Sequence, residues 1–110
     1  MFIQQGDVLL HKLDDFKADP NAKQVAPKNG KLVLAEGEAT GHAHTITLDN
    51  ESDVKLYTMG EILTLTVEST AGTELDHQEH STVNIPARSY RVGAVQEYDY
   101  IEQEARSVRD

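Results

Sequence analysis

The stretch Glu61-Ile62-Leu63-Thr64-Leu65-Thr66-Val67-Glu68 decides the fold class. Leu63, Leu65 and Val67 alternate with Thr64 and Thr66, so a chain extended through them is apolar on one face and hydroxylated on the other. That is a half-buried strand with its leucine face inward. Just before it, Tyr57-Thr58-Met59-Gly60-Glu61-Ile62 has a single breaker, Gly60, which fits either a tight hairpin or one strand with a bulge. Working outward, comparable runs occur at Lys31–Glu36, His42–Leu48, Val54–Met59, Gly72–Asp76, Thr82–Pro86 and Ser89–Tyr98. Turn signals recur roughly every eight to twelve residues, the rhythm of a sandwich or barrel and not of strands alternating with helices. The predicted class is all-β.

On the N-terminal side, Asp7–Leu13 reads as the first strand, and Asp14–Gly30 as a long polar loop carrying Pro20, Asn21, Pro27 and Asn29-Gly30. A loop of that length in a small domain is either a flap or a surface excursion. At the other end, Asp99–Asp110 places Ile101, Ala105 and Val108 at helical spacing. A short helix, an extended arm and a frayed end all fit it. The expected organisation is one β domain over residues 1–98 and a tail or short helix over 99–110.

With 110 residues, one hydrophobic core is expected. The apolar 38% is scattered in short clusters, so no segment is long enough to cross a bilayer as a helix, and a soluble protein without membrane partners is expected. Met1–Gly6 has no basic region followed by an apolar stretch, which points to the cytoplasm. The lack of cysteine excludes disulfides, thiolate zinc sites and cysteine nucleophiles, so any metal must be held by nitrogen and oxygen. A net charge of −9 with only 5% aromatic residues argues against nucleic acid, since the phosphates would be repelled and there is no stacking platform.

The chemistry is concentrated in histidine. Four of the five histidines form two pairs, His42-Ala43-His44 and His77-Gln78-Glu79-His80. On a strand, the period of two puts His42, His44, Ile46 and Leu48 on one face, and the apolar partners mark that face as inward. Two neighbouring imidazoles on one face can reach one ion. The second pair sits where a turn can bring both rings to the same side and complete the shell, with Glu79 or Glu51 as oxygen donors in reserve. Imidazole ligands suit zinc first, then iron, nickel or copper, and not calcium or magnesium. Glu36 and Glu38 are placed either to orient an imidazole or to be solvated at the rim. The plainer alternative is that all four histidines are polar positions near strand ends. His11 shares parity with Leu9 and Leu13 and is read as structural.

The segment Glu36–Val92 resembles the small metal-binding barrels of the cupin superfamily. His42, His44, Glu51 and Gly60 carry the first motif, and Pro86-Ala87-Arg88-Ser89-Tyr90 the second. Arg88 and Tyr90 stand where that family carries a ligand histidine, so the resemblance implies a metal site rebuilt around His77 and His80. The function expected is therefore a β-barrel protein with one transition metal on His42, His44, His77 and His80, and with Glu79 or Tyr90 near any bound water or small-molecule ligand. Whether it is an enzyme, and of what substrate, is left open. The rival is a metal-free, non-enzymatic β-module that forms homo-oligomers through its edge strands, with Ser89–Val95 as the edge to be shared.

Overall fold

The computed structural model describes residues 2–36 and 42–94. Its strands are β1 (Phe2–Gln5), β2 (Val8–Leu13), β3 (Lys23–Gln24), β4 (Lys31–Glu36), β5 (Ala43–Thr47), β6 (Val54–Met59), β7 (Ile62–Val67), β8 (Thr73–Leu75), β9 (Val83–Ile85) and β10 (Ser89–Ala94). Among the described residues there is no helix, and none long and apolar enough to cross a membrane. The fold is all-β.

One layer is a six-stranded antiparallel sheet in the order β1-β2-β10-β7-β6-β3. The hairpins β4-β5 and β8-β9 form the other layer, joined where Thr45 and Asp76 exchange backbone hydrogen bonds of 2.9 and 2.8 Å. Alternation accounts for the core between them. Val8, Leu10, Val54, Leu56, Leu65, Val67 and Tyr90 come from the large sheet, and Leu32, Leu34, Ile46, Leu75 and Ile85 from the hairpins. Twelve side chains removed from water in one cluster, at about 1.5–3 kcal/mol each for a large aliphatic group, are the main favourable term of this fold.

Met59 pairs with Ile62 across Gly60-Glu61, and Gly60 has φ +61°, so this segment is a tight hairpin and not a bulged single strand. The large sheet ends in β1 and β3, so the layers do not close into a barrel. Between Asp14 and Gly30 the only strand is the two-residue β3, paired with Tyr57 and Thr58. That excursion lies over the outer face of the sheet, with Phe16 against Tyr57 at 6.3 Å between ring centres. Thr64, expected to face solvent, is buried there, beside a small hollow that it lines with Phe16, Tyr57 and Arg91.

Two expectations are corrected. Ser89–Ala94 is not an edge strand: β10 is paired with β2 along its length and with β7 over Ser89–Val92, so it is an internal strand of the sheet. The edges are β1 and β3. Phe2–Gln5 is a strand, although Gln4 and Gln5 break its apolar alternation. His11 is exposed on the outer face of β2, its ring 5.7 Å from that of Phe2. The expected helix or tail at 99–110, the end of the Ser89–Tyr98 run and Glu38 lie outside the described residues.

Candidate functional site

At one end of the two layers the β1-β2 turn, the start of β5 and the 76–82 loop between β8 and β9 meet. Each is shaped by a local rule. Gly6 and Asp7 are the two turn residues between the paired Gln5 and Val8, and Gly6 has φ +56°, a conformation that favours glycine. In β4 the register slips between Val33, opposite Thr45, and Ala35, opposite His44, so Leu34 is an extra residue facing the histidine strand. Such a bulge bends its strand and re-aims nearby side chains. The 76–82 loop is tied down by Thr82 Oγ1 donating to Asp76 Oδ1 at 2.7 Å, and by Ala43 N donating to Gln78 Oε1 at 2.9 Å.

These elements bring all four paired histidines together. His77 is central, with ring centres 5.7 Å from His42, 4.4 Å from His44 and 4.6 Å from His80. His44 and His80 lie nearly parallel at 6.0 Å. Burial is graded: His44 is only 2% exposed, His42 and His77 are half-buried, and His80 is open to solvent. One ring from β5, one from the residue just before it, and two from a loop more than thirty positions away therefore form one cluster.

The hydrogen bonds fix what these rings can do. Gln5 Nε2 donates to Leu75 O at 2.7 Å and to Ser81 O at 3.0 Å. Both amide protons are thus used on carbonyls, which turns Gln5 Oε1 toward His44 Nδ1 at 2.9 Å. An amide oxygen only accepts, so Nδ1 carries a proton. His44 Nε2 faces Asp7 Oδ1 at 3.1 Å. Burial holds the His44 pKa below its ordinary value of 6.5, outweighing the Asp7 hydrogen bond that pulls it upward, and His77 and His80 add to the lowering. His77 Nδ1 accepts from the Glu79 amide at 3.0 Å, so its lone pair is on that nitrogen. His42 Nδ1 stands 3.8 Å from Glu79 Oε1, an exposed and loose pairing.

Two residues of this site escaped the sequence reading, Gln5 and Asp7. The signal for Asp7 was the Gly6-Asp7 turn, which reads as a hairpin connection; for Gln5 there was none, since a buried glutamine looks like any polar strand residue. Glu51 and Tyr90 are elsewhere. Glu51 is exposed in the turn after β5, and Tyr90 is buried in the core with its hydroxyl donating to Pro86 O at 2.7 Å. Among the described residues, no group of three or more His, Asp and Glu side chains is already arranged to hold a metal ion. An open groove of about 740 Å³, lined by residues such as Thr47, Glu74 and Asn84, includes none of the histidines.

Residues 4–94 match the model of a family described as Domain of unknown function (DUF8820). No curated protein and no solved structure matches the chain.

Proposed function

Because the chain belongs to the DUF8820 family of domains of unknown function, whose description names no chemistry, we propose a function from the site alone: His42, His44, His77 and His80 bind one transition-metal ion. The observation that carries it is the spacing of the rings. At a zinc–nitrogen distance of about 2 Å, two imidazoles on one ion have their ring centres about 4.5–5.2 Å apart. The His77–His80 pair, at 4.6 Å, falls within that range, and the His44–His77 pair, at 4.4 Å, lies just below it. The wider pairs involve His42 and His80, which are exposed enough to turn inward, and His77 can offer Nδ1 by releasing the Glu79 amide. Zinc is the first expectation, with iron, nickel and copper suited to the same donors.

A position left open on such an ion would polarise a small-molecule ligand or activate water. The residue types do not single out a reaction, so no catalytic residue is assigned. One observation favours the rival, a homo-oligomeric β-module: β1 is an edge strand whose Phe2 is 51% exposed.

Elemental analysis of untagged protein and calorimetric zinc titration separate the two. One ion per chain is expected, with affinity lowered at least about tenfold in His77→Ala and in His80→Ala and unchanged in His11→Ala. Absence of binding, or equal affinity in all variants, would leave the β-module as the better reading.

A further inference from the structure

The contact between His44 and Asp7 has a chemical oddity. Gln5 cannot rotate to offer its amide nitrogen to His44 without losing two hydrogen bonds to backbone carbonyls, so Nδ1 of His44 is held as the N–H. With Nδ1 protonated, a neutral His44 has its lone pair on Nε2. That lone pair faces a carboxylate oxygen 3.1 Å away. Two electron-rich atoms held at this distance repel unless a cation lies between them. The cation is either a proton or a metal.

The distance suits a metal. If nitrogen and oxygen each bind at about 2.0–2.1 Å, a 3.1 Å separation corresponds to an angle of roughly 95–100° at the ion, between octahedral and tetrahedral values. The surroundings suit it as well. A β-carbon added at Gly6 would lie 2.5 Å from His80 Nε2 and 3.2 Å from His44 Cε1, so the side-chain-free turn leaves those rings room to approach. Asp7 is 58% exposed on that turn and free to adjust, whereas His44 is fixed.

We propose that Asp7 is a ligand of the metal and Gln5 its positioning residue, making the centre a mixed histidine–carboxylate site for a divalent transition cation, anchored on His44 Nε2 and Asp7 Oδ1. This deepens the reading of the histidine cluster as a metal site and rests on it. Gln5 acts through His44, in the way metal-bound imidazoles are commonly oriented by an acceptor on their other nitrogen. The carboxylate supplies negative charge that four neutral imidazoles lack, which favours a dication over a monovalent ion.

Two measurements test it. Long-range proton–nitrogen NMR on metal-free, nitrogen-15-labelled protein at pH 8 reads the His44 tautomer directly; Nδ1 protonated and Nε2 bare is expected. Zinc titration by chelator competition then compares wild type with Asp7→Asn and with Glu68→Gln, which removes the same charge from an exposed ion pair with Lys55. Asp7→Asn is expected to weaken zinc at least about tenfold, and Glu68→Gln less than about threefold. An Nε2–H or doubly protonated His44 at pH 8, or equal losses in the two variants, overturns this inference while leaving the histidine site standing. A wild type that binds no zinc overturns both.

Discussion

His44 Nδ1 and Gln5 Oε1 meet at 2.9 Å across the two layers, and this contact ties the site to the stability of the fold. Gln5 belongs to β1 of the large sheet, while its amide nitrogen holds Leu75 O and Ser81 O at the mouth of the β8-β9 hairpin. One side chain thus satisfies a buried imidazole and two carbonyls. Replacing it with leucine keeps the volume but strands the His44 N–H and at least one carbonyl. A loss of about 1–3 kcal/mol is expected for a buried polar group left unpaired. The check is the urea midpoint of metal-free Gln5→Leu against wild type, and an unchanged midpoint would mean that water replaces the glutamine without cost.

Much of this architecture was legible from short-range pattern. Alternation in Leu63-Thr64-Leu65-Thr66-Val67 identified β7, and the Lys31–Glu36 and Val54–Met59 strands fall where their runs predicted. What failed was what depends on distant partners. Lys23–Gln24 is a strand only because β6 lies beside it, and nothing local marks Ser89–Ala94 as internal instead of an edge. The site divides in the same way. The two histidine pairs could be picked out by spacing, although β5 begins only at Ala43, after His42, whereas Gln5 and Asp7 reach His44 from 39 and 37 positions away. Only the fold brings them there.

The His44 environment predicts a pH dependence of folding in metal-free protein. Burial lowers its pKa from 6.5, with His77 and His80 acting in the same direction and Asp7 opposing them. The folded state then binds fewer protons than the unfolded chain once pH drops below that ordinary value. Stabilisation is therefore fully present above pH 6.5 and is lost progressively as pH falls toward the lowered pKa. Carboxylates, with ordinary values of about 3.9–4.3, contribute little until more acid conditions. The urea midpoint is expected to fall between pH 7 and pH 5.5, and to fall less in His44→Gln. A midpoint that is flat or rises over this interval would contradict the assignment.

Gly6 and Gly60 offer a matched comparison. Both turn residues have positive φ, +56° and +61°, so alanine at either position costs about 1–2 kcal/mol in backbone strain. Only Gly6 also has a neighbour in the way, His80 Nε2 at 2.5 Å, whereas Gly60 opens onto empty space. Gly60→Ala should lower stability and leave zinc affinity as it was. Gly6→Ala should lower stability and also weaken zinc, because His80 is displaced from the pocket. Equal zinc affinities in the two variants would show that His80 does not need the space above the turn.

Metal and protons compete for the same imidazole nitrogens. A ligating imidazole must be neutral, and an unperturbed imidazole has a pKa of about 6.5, so acidification below that value removes donors from a histidine site. Binding only to the folded state stabilises by mass action, about 2.7 kcal/mol when free zinc is a hundred times its dissociation constant. For a domain of this size each kcal/mol moves the unfolding midpoint by about 4–8 °C, so saturating zinc at pH 7.5 should raise it by roughly 10–20 °C. At pH 5.5 the same zinc concentration should raise it far less. A centre built from carboxylates alone would keep most of its thermal shift at pH 5.5, since ordinary carboxyl groups lose their charge only in more acid solution. Thermal unfolding with and without zinc at both pH values therefore distinguishes the donor types, and an equal shift at the two would take the histidines out of the site.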